Sequence, residues 1–226
     1  MINKNTFEFL KELKANNNRD WFQENKAKYD LARENFIDFA DALLLELKKT
    51  DNLESESGKK SIYRIYRDIR FSKDKTPYKT YLSGHFKRAT NLLRGGYYFH
   101  IEPGNTVIAG GFWGPSSEDI LRIRKEIAAD ASEMRAIINA PEFINTFGEL
   151  KGDKLKSAPR GFDKNHPDLD LLQFKQYLLV TKFDDKDVFS KDFYLKANEV
   201  YKKMRPFFDY FSEVLTTDEN GASLYD

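Results

Sequence analysis

Two histidines and two carboxylates near the middle of the chain are the side chains best suited to move protons: His85, His100, Glu102 and Asp68. If the strand-like runs that carry them pair as antiparallel neighbours with symmetric loops, all four lie on one polar sheet face, with His85 opposite His100. Such a cluster could act as general acid and base, or bind a divalent metal. The alternative is that these residues only hydrogen-bond to a covering helix, and a register slip of one residue would disperse them. We therefore keep the four as catalytic candidates and assign no metal site and no cofactor.

A second set of chemical groups is cationic and lies in the basic segment, which we define as residues 59–94. This segment holds eleven Lys and Arg residues against two acids, so it carries a charge of +9 and the rest of the chain −8. The overall net charge of +1 conceals this asymmetry. A basic segment in an acidic body predicts an anionic ligand or partner.

The loop predicted at residues 72–79 combines cations and hydroxyl groups around a proline that restricts its backbone. Ammonium and hydroxyl groups at this spacing could hold a phosphate, although the Gly-rich pattern of a P-loop is missing. The alternative is a solvated hairpin loop in which Asp74 balances neighbouring charges. In the register assumed above, Arg70 joins the polar sheet face. The candidate ligand-binding residues are Arg64, Arg70, Lys73, Lys75, Tyr78 and Lys79.

The stretch from Tyr63 to Lys79, YRIYRDIRFSKDKTPYK, resembles the signature of the domain-of-unknown-function family numbered 2461. Supporting matches follow in order along the chain: NRDWF at 18–22, GYY at 96–98, GG at 110–111 and PRGFD at 159–163. The resemblance implies a single domain over residues 1–226 and makes the basic segment a hallmark of the family. It implies no activity, cofactor or catalytic residue.

The central region has the two-residue periodicity of strands, and the regions around it have helical spacing. The predicted strands are 61–71, 80–87, 96–102, 106–113 and 176–183. Arg67 falls on the apolar side of the first run, so we expect it to form a structural ion pair. This order predicts an α+β fold, in which N-terminal and C-terminal helices pack with an antiparallel sheet. The sheet would be a meander of about four strands with one or two later strands.

Composition excludes several classes of protein. The chain has 226 residues, of which 40% are hydrophobic and 32% charged, and it has no cysteine. Disulfides, thiol nucleophiles and Cys-ligated metal sites are therefore ruled out. No run approaches the ~20 apolar residues of a membrane-spanning helix, and residues 1–18 lack the apolar core of an export signal. We expect a cytoplasmic protein without a membrane partner.

Three functions are compatible with these features. The first is binding of an anionic, phosphate-bearing small ligand at the basic hairpin, with turnover left open. The second is a structural or protein-interaction module, in which the basic segment pairs with the acidic body within one chain or across a homodimer. The third is single-stranded nucleic-acid binding, because aromatic residues alternate with cations, but a net charge of +1 does not suit a generally basic binder. We favour the first.

Overall fold

The computed structural model describes residues 1–218 and 221–225 of the chain. Helices precede the first strand, lie between the third and the fourth, and follow the fourth. The helices are α1 (Lys4–Ala15), α2 (Arg19–Glu24), α3 (Lys26–Leu47), α4 (Gly58–Ser61), α5 (Ser117–Ala129), α6 (Ser132–Ile138), α7 (Pro141–Phe147), α8 (Leu169–Leu172), α9 (Asp185–Val188), α10 (Phe193–Lys203) and α11 (Arg205–Thr216). The strands are β1 (Leu82–Lys87), β2 (Gly96–Ile101), β3 (Thr106–Phe112) and β4 (Tyr177–Phe183).

The four strands form one antiparallel sheet in the order β1-β2-β3-β4, which confirms the predicted α+β fold. Successive side chains of a strand point to opposite faces of the sheet. In β2, Tyr97, Phe99 and Ile101 are buried, whereas Tyr98 and His100 are half-buried. The sheet therefore has an apolar inner face and a more polar outer face, as is common for antiparallel sheets.

Residues 61–71, predicted as the first strand, do not form one. They contribute only isolated antiparallel bridges, from Ile62 to Gly84 and from Tyr66 to Tyr78. Further along, the Arg67 guanidinium donates to the Thr76 carbonyl at 3.2 Å. Side-chain bonds of this kind take the place of a regular ladder, which the alternation of apolar and charged residues could not reveal.

One compact unit consists of residues 1–86, 98–108 and 182–199. Its core is aromatic: the rings of Phe36 and Phe39 in α3 lie 5.5 and 6.1 Å from the ring of Phe99 in β2. Phe39 also stacks on Phe193 at 5.3 Å. A stripe of helix residues spaced by three and four thus packs on the inner face of β2. Close to it, a Cβ on Gly84 would lie 2.5 Å from the Phe99 ring, so only glycine fits there.

The second compact unit consists of residues 87–97, 109–181 and the described residues from Val200 onward. Its core contains a cation of the basic segment, because Arg88 is only 1% exposed. The Arg88 guanidinium contacts Asp209 at 3.2 Å and donates to the Arg94 carbonyl at 2.9 Å. These partners offset the cost of removing the charge from water. Arg88 is therefore a structural group.

Tyr78 anchors the basic segment to the first compact unit. Its ring is 3% exposed and stacks on Phe22 of α2, with 4.0 Å between ring centroids and 15° between ring planes. The side-chain amide of Asn17 donates to the Tyr78 carbonyl at 2.9 Å and accepts from its N–H at 3.1 Å. Tyr78 was predicted as a ligand contact, and the structure places it in the core instead, because its apolar ring has a packing partner there.

Replacing Tyr78 with alanine is expected to lower the free energy of unfolding by about 3–5 kcal/mol, because a buried aromatic ring is lost. Tyr66→Ala removes a ring that is 48% exposed and serves as the matched control, with an expected cost of about 1 kcal/mol. Urea unfolding followed by circular dichroism measures both changes. Losses of equal size in the two variants would contradict the anchoring role of Tyr78.

Candidate functional site

The basic segment folds back on itself as an irregular hairpin. The N–H of Arg67 donates to the carbonyl of Pro77 at 2.9 Å and closes a loop of residues 68–76. The loop therefore begins four residues earlier than the predicted one, 72–79. Asp68 and Arg70, which were expected on the sheet face, consequently lie in the loop.

Ion pairs engage Arg70 within this loop and Arg67, which immediately precedes it. Arg70 donates from Nε and Nη2 to the two carboxylate oxygens of Asp68, at 2.9 and 2.6 Å. Arg67 forms an ion pair, as expected, and its partner is Asp74. The backbone N–H of Thr76 and the Arg67 guanidinium lower the pKa of Asp74 to about 2. The structure therefore does not bring Asp68 and Arg70 to the histidines, because the assumed register placed the loop too late in the chain.

The two lysines of the loop differ in their surroundings. The ammonium of Lys75 donates to the carbonyl of Ile69 at 2.9 Å, so it fastens the loop to itself. Lys73 is exposed, and within residues 1–218 and 221–225 it has no ion-pair partner. Of these two predicted ligand-binding residues, only Lys73 has an ammonium that is not engaged in the loop.

Lys79 and Arg64 lie at the base of the hairpin, next to Tyr63. The Lys79 Nζ atom lies 5.4 Å from the centroid of the Tyr63 ring. Burial lowers the pKa of Lys79, and the positive charge of Arg64 lowers it further. Among the described residues, neither cation has a carboxylate within ion-pair distance. Two like charges are thus held near each other, and no carboxylate of residues 1–218 or 221–225 is in contact with them.

Two ring stacks continue this surface across the outer face of β1 and β2. Tyr63 stacks on the exposed His85 at 5.2 Å, and Tyr81 stacks on His100 at 4.2 Å. Each histidine thus stacks on a tyrosine, and the predicted pairing of His85 with His100 stays a prediction. The alternating burial of β1 and β2 places both histidines on the outer face.

A chain of hydrogen bonds runs along the outer face of β2. The Tyr98 hydroxyl lies 3.1 Å from Nδ1 of His100, and Nε2 of His100 lies 3.2 Å from Oε2 of Glu102. The structure thus brings two of the four catalytic candidates into contact. Burial lowers the pKa of His100, although Glu102 opposes this shift. The imidazole is therefore neutral at pH 7, and these contacts assign Nε2–H as the donor to Glu102 and Nδ1 as the acceptor from Tyr98.

The two groups on either side of His100 differ in protonation: Glu102 is ionised and Tyr98 keeps its proton. Burial acts to raise the pKa of Glu102, but hydrogen bonds from Asn105 and His100 outweigh it, so the net shift is downward. Burial raises the pKa of Tyr98, against a hydrogen bond from Ser83. An ionised carboxylate, a neutral imidazole and a protonated phenol thus form a connected chain of hydrogen bonds, and the pKa shifts of Tyr98 and His100 both keep the proton on the phenol.

Sequence reasoning did not include three tyrosines of this surface, Tyr63, Tyr81 and Tyr98, among the site residues. A signal existed for Tyr98, because residues 98, 100 and 102 are spaced by two and so share one face of an extended chain. Tyr63 and Tyr81 lie outside the strands, where alternation carries no information about position.

Two further findings concern the part of the chain that the structure describes. No group of three or more His, Cys, Asp or Glu side chains there is arranged to hold a metal ion. None of its helices combines the length and the apolar character that crossing a membrane requires.

Comparison with known proteins identifies a family. The family model described as "Conserved hypothetical protein (DUF2461)" matches residues 5–210, a range that includes the whole basic segment and the outer-face residues. The family resemblance inferred from the sequence is thereby confirmed. No curated protein and no solved structure matches the chain.

His100 is expected to titrate below 6.5, the ordinary pKa of histidine. Because the folded chain then binds this proton less readily than the unfolded chain, the group contributes stability above about pH 6.5 that is lost as the pH falls through the lowered pKa. An NMR titration of the three histidines measures the pKa, and His100→Gln assigns the signal. Urea unfolding should show a smaller acid-induced loss in this variant. A pKa of 6.5 or higher for His100 would contradict the assignment.

Proposed function

The chain belongs to the family described as conserved hypothetical protein DUF2461, and from the geometry of its own residues we propose that it binds an anionic, phosphate-bearing small ligand. The ligand would lie against Tyr63, with its anion held by Arg64 and Lys79. The observation that carries this proposal is the proximity of these two cations without a carboxylate in contact, among the described residues. Holding like charges near each other costs free energy, and a bound anion offsets that cost.

The chemistry of the two cations suits a phosphate group. The guanidinium of Arg64 can donate two parallel hydrogen bonds to phosphate oxygens, and the ammonium of Lys79 can act as a point charge. Lys73 supplies a further cation from the loop. Arg70 and Lys75 are engaged by Asp68 and by a backbone carbonyl, so in this proposal they shape the loop rather than contact the ligand.

A structural or protein-interaction module is the second candidate. Several cations of the basic segment already have acidic partners, which favours this role. The pairs are Lys60–Glu56, Arg67–Asp74, Arg70–Asp68, Arg88–Asp209 and Arg94–Asp119. The remaining cations would then contact a second copy of the chain, in a homodimer, and no phosphate compound would bind.

Single-stranded nucleic acid is the third candidate. Phe71 lies in the loop of residues 68–76 and is 96% exposed. Its ring lies 5.9 Å from the Arg70 guanidinium, and it could stack on a base. Two other aromatic residues that alternate with cations in this segment are engaged elsewhere, because Tyr78 is buried and Tyr81 stacks on His100. The small-ligand proposal therefore has the stronger support.

Titration calorimetry with phenyl phosphate at low ionic strength tests the proposal. Lys79→Gln and Arg64→Gln are each expected to weaken binding about tenfold, because each removes a charge-assisted hydrogen bond to the anion. Lys59→Gln removes the same charge from an exposed position in the same segment and is the matched control. Its affinity should stay within about twofold of the wild type.

The other two functions predict different results in the same experiment. If the protein is an interaction module, phenyl phosphate will not bind, and Lys73→Ala or Lys79→Gln will change the oligomeric state measured by analytical ultracentrifugation. If it binds nucleic acid, a single-stranded oligonucleotide will bind more tightly than phenyl phosphate, and Phe71→Ala will weaken that binding. Either result would overturn the small-ligand proposal.

The affinity for phenyl phosphate is expected to fall as the pH rises through the lowered pKa of Lys79, because the neutral amine no longer attracts the anion. The loss therefore begins below 10.5, the ordinary pKa of lysine. In Arg64→Gln the pKa of Lys79 moves back toward that value, so the alkaline loss should shift to higher pH. Titrations between about pH 8 and about pH 10 test this, since a phosphate monoester is doubly ionised throughout. Identical pH profiles for the two proteins would contradict the coupling.

A further inference from the structure

A cleft of about 790 Å³ lies between α5, α6 and α11 in the second compact unit. This volume falls within the range of about 300–1,000 Å³ that is usual for small-molecule sites. Five acidic and two basic side chains line the cleft, so it is negative overall. Its walls include Leu121, Glu126, Glu133, Tyr210, Glu213 and Val214.

Three of the carboxylates in this cleft have no cationic partner in the part of the chain that the structure describes. Glu126, Glu133 and Glu213 are exposed, and no basic side chain of the described residues lies within ion-pair distance of them. One of the two basic side chains, Arg122, is engaged, because it donates to the Thr217 carbonyl at 3.3 Å. Charge complementarity therefore favours a cationic occupant.

The Tyr210 hydroxyl is a second and independent sign of a ligand. Tyr210 is only 6% exposed, and among the described residues its buried hydroxyl has no hydrogen-bond partner. Burial raises the pKa of Tyr210, and the carboxylates of Glu126, Glu133 and Asp130 raise it further. Tyr210 lines the cleft together with Glu126 and Glu133. A buried hydroxyl without a partner costs free energy, which a donor on a ligand would recover.

We propose that this cleft binds an aliphatic polyamine. Its ammonium groups would contact Glu126 and Glu133, and one N–H would donate to the Tyr210 hydroxyl. Its methylene chain would lie against Val214 and against Leu121, which is 46% exposed. The carboxylates are spread over three helices, and no three of them are grouped to hold a metal ion in the described residues. This spacing suits a ligand with several positive charges separated by apolar links.

Titration calorimetry with spermidine at low salt tests the proposal. The wild type should bind, and the double variant Glu126→Gln/Glu133→Gln should lose about tenfold or more in affinity. The double variant Glu24→Gln/Asp38→Asn is the matched control, because it removes the same two charges from exposed helix positions outside the cleft. Its affinity should stay within about twofold of the wild type.

Tyr210→Phe separates a ligand contact from a structural role. Spermidine affinity should fall about fivefold, because the hydrogen bond to the hydroxyl is lost. The unfolding temperature of the free protein should not fall, since the hydroxyl has no partner there among the described residues. A lower unfolding temperature with unchanged affinity would assign the hydroxyl to the fold and contradict the contact.

Three results would overturn the polyamine site. The first is no spermidine binding to the wild type at low salt. The second is an equal loss of affinity in the two double variants, which would show diffuse attraction to the acidic surface of the chain. The third is binding of a lysine-rich peptide at the cleft without binding of spermidine, which would assign the cleft to a protein partner.

Discussion

The burial of Tyr78 is the constraint on which the arrangement of the basic segment depends. A hairpin that pairs only through isolated bridges has few ladder hydrogen bonds, and the stack of Tyr78 on Phe22, with two bonds to Asn17, replaces them. Adjacent residues of an extended chain point to opposite sides. Burying Tyr78 therefore turns Lys79 outward, where it meets Tyr63. The position of a surface cation thus follows from a contact in the core.

The charge of the basic segment is partly neutralised and partly left open. Asp68 and Asp74 lie within the loop and engage Arg70 and Arg67, and Arg88 is paired inside the second compact unit. The guanidinium groups of these three arginines therefore stabilise the loop and the core. In the described part of the chain, Lys79 and Arg64 remain without a carboxylate in contact. A total of +9 therefore overstates the charge that a ligand would meet.

Alternation predicted which face each strand residue occupies, but it could not predict register. His100 and Glu102 are two residues apart in one extended run, so their contact follows from local geometry. Asp68 is different, because its position depends on where the hairpin closes. That closure is decided by the Arg67–Asp74 ion pair within the loop and by the burial of Tyr78 against Phe22, and alternation along the chain reports neither contact. Strands β1 to β4 were predicted from the sequence, because the alternation of side chains within one run is sufficient to identify a strand.

The outer face disfavours positive charge while it is unliganded, because burial lowers the pKa of both Lys79 and His100. Linkage makes this relation reciprocal: an anion that raises these pKa values binds more tightly when the groups are protonated. A protonated His100 carries hydrogen on both ring nitrogens, so it can no longer accept from Tyr98. Binding of the proposed anion would therefore favour reversal of this hydrogen bond, so that Nδ1–H of His100 donates to the Tyr98 oxygen. One hydrogen bond would then connect the charge of the ligand to the orientation of a neighbouring phenol.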